Sequence, residues 1–219
     1  TCLHAVYRFL GDDIALQQVI GEVTRLPTGG TLAAHLGVHA LRRGHAATIY
    51  TYSLQLFDPT WFDEPTPSIA ERLREQSDVK RSKRLRAATR AYLEFLDAGG
   101  MVRFEELGPD LIRRYLARGL PMLTGLSATY LYGCAREVWE GRVGRYDSVR
   151  GSPTGHYVVV HGYDPTSDSV LVADPFHGNP LAEASSYRVG IIRLIGAIML
   201  GALSNDANLL VIEPRREIP

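Results

Sequence analysis

The sequence has few cysteines and no excess of charge of either sign. Its two cysteines, Cys2 and Cys134, are too few for the several disulfides that staple small secreted domains, so we expect a reducing, cytoplasmic setting. Lys and Arg total 24 and Asp and Glu total 24, so bulk charge attracts neither nucleic acid nor an anionic membrane. Specificity must therefore come from a shaped site.

Long apolar runs and repeats are also missing. The most apolar stretch, VGIIRLIGAIMLGAL at residues 189–203, is shorter than the roughly 20 residues of a bilayer span and contains Arg193, which predicts a buried helix and no membrane insertion. No repeat or low-complexity tract indicates a solenoid or a linker. At 219 residues, 45% of them hydrophobic, the chain can bury a substantial core, and we predict a single domain over residues 1–219.

The first hundred residues are mainly helical in pattern. The opening TCLHAVYRFLG has apolar residues at helical spacing and is stopped by Gly11, which places Cys2 at a helix N-terminus. Thr31 is predicted to cap a later helix. The remaining predicted elements here are helices at 14–22, 31–41 and 68–98 and a strand at 46–52. We interpret residues 1–100 as a mainly helical lobe.

Residues 101–219 are mainly strand-like. Two clear strands, HYVVVHGYD at 156–164 and SVLVAD at 169–174, are joined by the turn PTSD, and residues 127–154 before them have the pattern of a loop. Helices followed by a largely antiparallel sheet indicate an α+β fold, with the helical lobe packed on the sheet lobe.

Three residues in this arrangement form a candidate catalytic set. The positive end of a helix lowers the pKa of a thiol, and Cys2 occupies such a position. A hairpin folded about residues 165–166 sets His156 opposite residues 174–176, so the Asp174 carboxylate can orient the imidazole as a base for Cys2. The alternatives are a buried structural cysteine, a structural histidine at a strand end and an aspartate that caps a turn.

No metal or other cofactor is predicted. His161 lies five residues beyond His156, on the opposite face of the same strand, and suits a structural role. The two cysteines lie 132 positions apart and form no zinc-ligand spacing with the histidines.

The sequence resembles the papain-like cysteine peptidases related to the bacteriocin-leader (double-glycine) peptidases, in the stand-alone bacterial branch often found beside ATP-grasp ligases. The resemblance covers nearly the whole chain: TCLHAVYRFLG, a GGT before the next helix, LRRGHAATIYTY, PMLTGL and, most specifically, GHYVVVHGYD with VLVADP. It implies a papain-like fold, with Cys2 as nucleophile, His156 as base and Asp174 as the third residue. Leu3 and His4 follow the cysteine where this family usually has a small pair such as Gly-Pro, which affects substrate choice.

The resemblance implies a cysteine peptidase that cleaves a peptide or amide bond through an acyl-enzyme. The backbone N–H of Cys2 is one expected oxyanion donor, and the family's side-chain donor is expected upstream of Thr1. Candidate substrate-binding residues are Trp61, Ser127, Tyr130 and Tyr132, on loops that can wall a cleft.

Three other functions stay open at this point. The same triad can pass its acyl group to an amine, which would make the protein a transferase or cyclase. A papain-like domain can also bind peptides without cleaving them. In the third, Thr1 would be an N-terminal nucleophile. Such enzymes have a four-layer sandwich whose chain begins with β-strands, whereas this chain begins with a predicted helix.

Overall fold

The computed structural model describes residues 1–26, 30–63, 67–141, 143–204 and 207–214. In these ranges the α-helices are α1 (Cys2–Phe9), α2 (Leu16–Glu22), α3 (Ala33–Arg42), α4 (Ile69–Val79), α5 (Lys83–Asp97), α6 (Pro109–Leu116), α7 (Ala128–Tyr132) and α8 (Ile191–Leu200). The strands are β1 (Ala46–Thr51), β2 (Met101–Arg103), β3 (Met122–Ser127), β4 (Glu137–Glu140), β5 (Val143–Tyr146), β6 (Gly155–Asp164), β7 (Ser169–Ala173), β8 (Ser186–Gly190) and β9 (Asn208–Glu213). Short 3₁₀ turns occupy Pro59–Phe62 and Gly201–Ser204. The α+β class expected from the sequence is confirmed.

The chain divides into two compact units. The first consists of Thr1, Leu3–Glu105 and Leu209–Pro219, and the second of Cys2 with Glu106–Asn208. The first unit holds most of the helices, and the second holds most of the strands. The single domain predicted for residues 1–219 stays a prediction.

The first unit contains a short sheet and a cluster of buried aromatic rings. Strand β1 pairs with β2 in parallel, and the sheet order continues from β1 to β9. Phe57 is buried and meets the ring of Tyr92 edge-on, with ring centroids 4.9 Å apart. An edge-on contact between aromatic rings adds to the stabilisation that α5 gains from burying its apolar side chains.

Two of the predicted helix boundaries in this unit are wrong. The helix expected over residues 68–98 is two helices, because Ser82 accepts a hydrogen bond from the Leu85 N–H and so caps a new helix start at α5. Thr31 does not cap α3: Leu32 is the N-cap, and the Thr31 hydroxyl donates to the Thr24 carbonyl instead. Gly29, the first glycine of the GGT motif, lies outside the described residues.

The second unit is built on four antiparallel strands in the order β3-β6-β7-β8. Strand β3 pairs with β6 so that Leu126 lies opposite His156, and β6 pairs with β7 so that Val159 lies opposite Ala173. The register shifts between Val160 and Gly162. This pairing sets the end of β6 that begins with Gly155 beside the end of β7 that leads into Asp174.

The loop predicted for residues 127–154 is wrong. The segment holds α7 and the two-stranded hairpin β4–β5. The Ser127 hydroxyl caps α7 by accepting from the Tyr130 N–H, and Gly133 ends that helix with a φ of +66°, which a glycine adopts without strain. Strand β8 was not predicted either. The helix expected within residues 189–203 is present as α8, but only one of its faces is buried, and Ile192 is exposed.

Candidate active site

Cys2 is the first residue of α1, with Thr1 as the N-cap. Its side chain is buried, and Sγ donates a hydrogen bond to the backbone carbonyl of Tyr157 at 3.2 Å. Tyr157 follows His156 directly on β6. The thiol is therefore held against the strand segment that carries the imidazole.

His156 and Asp174 are in direct contact. His156 Nε2 lies 2.8 Å from Asp174 Oδ1, which is a hydrogen-bonding distance for a ring nitrogen and a carboxylate. The imidazole is 24% exposed, whereas the Asp174 side chain is completely buried. Because Nε2 is engaged by the carboxylate, Nδ1 is the ring nitrogen left for other chemistry.

The Asp174 carboxylate is surrounded by donors. Oδ1 accepts from His156 and from the Phe176 N–H at 2.9 Å, and Oδ2 accepts from the hydroxyls of Tyr132 and Tyr187, both at 2.7 Å. Burial raises the pKa of this carboxyl, but these hydrogen bonds together outweigh burial and lower the pKa to about 2. Asp174 is thus held as an anion with one oxygen on the imidazole.

The bonds to Asp174 predict a pH dependence of stability. A folded-state pKa of about 2, against an ordinary value of 3.8, stabilises the fold above pH 4, and this contribution is lost as the pH falls towards 2. It amounts to about 2 kcal/mol. The free energy of unfolding, measured in guanidinium, should fall less between pH 4 and pH 2 for Asp174→Asn than for the unaltered protein. The matched control is Asp110→Asn, whose side chain is 99% exposed. Parallel pH profiles for the unaltered protein and Asp174→Asn would contradict the assignment.

Aromatic rings surround the imidazole. The Phe176 and His156 rings meet edge-on, with centroids 6.5 Å apart. The centroid of the Tyr132 ring lies 6.4 Å from that of His156 and 6.4 Å from that of Phe176. Aromatic rings at these distances are in packing contact with the imidazole. Tyr132 therefore both donates to the carboxylate and flanks the imidazole.

Burial favours the neutral form of the Cys2 thiol. Burial raises its pKa from an ordinary 9.0 to about 12, and the charge of Asp174 acts in the same direction. Three pKa units correspond to about 4 kcal/mol. The groups that lower this pKa, among them a backbone hydrogen bond, do not offset burial. The thiol is consequently a hydrogen-bond donor to Tyr157, which differs from the helix-lowered pKa expected from the sequence.

A raised pKa makes Cys2 slow to alkylate. Iodoacetamide reacts with thiolates, so at pH 7 without substrate we expect Cys2 to react more slowly than the half-buried Cys134. The Cys2 rate should continue to rise beyond pH 9. Peptide mass spectrometry that resolves the two sites measures both rates. A Cys2 rate that is already at a plateau near pH 6 would instead show a thiolate at rest.

A cavity of about 520 Å³ opens beside the imidazole. His156, Phe176 and Tyr132 line it, together with residues of the β4–β5 hairpin and the segment before β6. Its size falls within the usual range for a ligand site. The His156 imidazole therefore faces a space large enough to hold part of a ligand.

The predicted substrate-binding residues fall in different places. Tyr132 lines this cavity, but its hydroxyl is bonded to Asp174. Ser127 is buried as the cap of α7. Tyr130 is 45% exposed and lies, with Ser127, on a different cavity that Arg193 lines. Trp61 belongs to the first unit, where it packs against Phe57. Substrate contact by these four residues stays a prediction.

Two groups at the site were not predicted from the sequence, and a third corresponds to the turn-capping alternative given for Asp174. The hydroxyl of Tyr187 belongs to the unpredicted strand β8, so no sequence pattern linked it to Asp174. The Phe176 N–H lies two residues after Asp174, and this aspartate-to-backbone bond over two residues is the turn motif that Asp-Pro suggests. The Tyr157 carbonyl that accepts from Cys2 is a backbone group, which sequence patterns do not distinguish.

The described ranges contain neither a metal-binding cluster nor a membrane-spanning helix. No set of three or more His, Cys, Asp or Glu side chains in them is grouped to hold a metal ion. Within the same ranges, every helix is too short or too polar to traverse a bilayer.

Comparison with known proteins gives one family. The model of the Peptidase_C39 like family matches residues 73–187, more than half of the chain, and the match includes His156 and Asp174 but begins after Cys2. Neither a curated protein nor a solved structure matches the chain significantly. The α+β fold and the family match agree with the papain-like relationship expected from the sequence. The chain therefore belongs to the Peptidase_C39 like family, a family of peptidases of the cysteine type.

Proposed function

We propose that the protein is a cysteine peptidase in which Cys2 is the nucleophile, His156 the base and Asp174 the residue that orients the base. The observation that carries this is the 2.8 Å contact between His156 and Asp174. In the same structure Cys2 Sγ donates a hydrogen bond to the carbonyl of Tyr157, the residue next to His156. The peptidase family membership supports the same reaction class.

The first step of the reaction forms an acyl-enzyme. Cys2 Sγ attacks the carbonyl carbon of the scissile bond while its proton passes to Nδ1 of His156, and Asp174 stabilises the imidazolium through Nε2–H. Because burial favours the neutral thiol, this proton transfer accompanies the attack rather than preceding it. The carbonyl oxygen becomes an oxyanion, and in this proposal it accepts from the Cys2 N–H. That N–H lies in the first turn of α1, where N–H groups have no intrahelical acceptor.

The remaining steps release two products. The imidazolium gives its proton to the leaving amine as the peptide bond breaks, which leaves a thioester on Cys2. His156 then takes a proton from water, and the resulting hydroxide attacks the thioester. Cys2 recovers its proton as the new carboxylic acid departs, so the enzyme is unchanged over the cycle.

Cleavage of a peptide mixture in ¹⁸O-labelled water tests this function. Proteome-derived peptides incubated with the protein should acquire new C-termini that carry ¹⁸O, as identified by tandem mass spectrometry. A new C-terminus joined to an added amine would indicate acyl transfer by the same triad. Failure to produce any new terminus, with a folded protein, would contradict the proposed function.

A further inference from the structure

One face of the β4–β5 hairpin lines the cavity beside His156. The pairing sets Glu137 opposite Tyr146 and Trp139 opposite Gly144, so these four residues share a face. All four line the cavity that includes His156. The hairpin thus presents one complete side to the space next to the proposed base.

Two large aromatic side chains on that face are exposed. Trp139 is 57% exposed and Tyr146 is 53% exposed. A Cβ on Gly144 would come within 3.1 Å of the Trp139 indole, so the glycine allows the indole to lie close against the opposite strand. Aromatic rings left open to solvent in a cavity are typical of surfaces that bind an apolar ligand.

The hairpin is fixed to the strand that carries the base. Glu137 and Ser152 exchange two backbone hydrogen bonds, at 3.1 and 2.9 Å. The Thr154 hydroxyl donates to the Glu137 carboxylate at 3.0 Å, two residues before His156. The position of the aromatic face relative to the imidazole is therefore held by directly connected backbone.

The rest of the cavity wall is also largely apolar. The rings of Tyr132 and Phe176 contribute to it, and its charged residues, Glu137 and Arg145, are one of each sign. A wall without net charge that carries four aromatic rings selects for apolar surface rather than for charge.

We infer that this cavity is a specificity pocket for a large apolar side chain, preferably aromatic, of a peptide substrate close to its scissile bond. Trp139 and Tyr146 form the contact surface, and Gly144 gives the indole its position. The inference rests on the proposed peptidase function, because it is the neighbouring His156 that makes the bound peptide a substrate.

Binding and cleavage of one peptide series test the inference. The series is acetyl-Ala-Ala-Xaa-Ala-Ala-amide, with Phe, Leu, Ser, Glu or Lys as Xaa. Binding to Cys2→Ala, which cannot form the thioester, is measured by competition with a fluorescein-labelled Phe peptide in fluorescence anisotropy. The Phe peptide should bind about tenfold more tightly than the Ser peptide, and the Glu and Lys peptides no more tightly than Ser.

Variants on the hairpin should remove this preference. In the Cys2→Ala background, Trp139→Ala or Tyr146→Ala should reduce the advantage of Phe over Ser to about threefold or less. The matched control Ile192→Ala removes an apolar side chain that is 67% exposed on α8, and it should leave the advantage unchanged. Circular dichroism confirms that each variant is folded.

Each outcome separates the inference from the proposed function. Equal binding of all five peptides, no binding of the Phe peptide at millimolar concentration, or a preference that survives both hairpin variants would overturn the inference. Cleavage by the unaltered protein without a preference for Phe would overturn it while leaving the peptidase proposal intact. Preferential binding without cleavage would support the pocket and contradict the peptidase proposal.

Discussion

Replacement of Cys2 by alanine is expected to lower kcat/KM for peptide cleavage by about 10⁴-fold or more. Without Sγ no thioester can form, and only the orientation of the substrate and the oxyanion donors remain. The loss should appear in kcat, because the side chain forms its bond with the substrate during the reaction and not in the initial complex. Initial rates on the fastest peptide of the cleaved mixture measure it.

The matched control for Cys2→Ala is Cys134→Ser, which alters the other free cysteine. Serine is used because it is close to cysteine in size and keeps a polar group at this position. This control should keep kcat/KM within about threefold of the unaltered protein, as expected for a group outside the reaction. Activity that survives Cys2→Ala, or is lost equally in both variants, would contradict the assignment of the nucleophile.

Replacement of His156 by alanine should lower kcat by about 10³–10⁴-fold. The Cys2 thiol has a pKa of about 12, so without a base almost no thiolate exists at neutral pH. The remaining activity should increase with pH, because hydroxide then supplies more thiolate. A pH profile of kcat that still rises above pH 9 is the signature to measure.

His161→Ala is the control for the loss of a histidine from the same strand. His161 is exposed and lies at the register shift of β6, and it is absent from the lining of the cavity beside His156. Its removal should change kcat by less than about threefold. A comparable loss in both histidine variants would show that strand integrity, rather than the base, was being measured.

The contact between His156 and Asp174 could be predicted from the sequence because both residues belong to one local hairpin. Residues 156–174 form two strands and a turn, and antiparallel pairing makes the opposite residues calculable from their numbers alone. The contact between His156 and Asp174 follows from that arithmetic. Cys2 became a candidate nucleophile through its predicted place at the start of a helix, and α1 does begin at Cys2.

The surroundings of these residues could not be predicted in the same way. Tyr187 reaches Asp174 from a strand whose pairing with β7 depends on tertiary structure. Strands β4 and β5 are too short to show an alternation of apolar and polar residues. The segment that carries Trp139 and Tyr146 was therefore predicted to be a loop. The pKa of Cys2 depends on burial, which a helix start alone does not indicate.

The most direct test of the account is the mass of the protein during turnover. Acid quenching within the first second of reaction with a cleaved peptide should trap a thioester on Cys2, because thioesters hydrolyse slowly at low pH. Intact-mass and tandem spectra should show the acyl part of the substrate added at Cys2, and none at Cys134 or in Cys2→Ala. An adduct on another residue, or turnover with no adduct in rapidly quenched samples of either the unaltered protein or His156→Ala, would contradict covalent catalysis by Cys2.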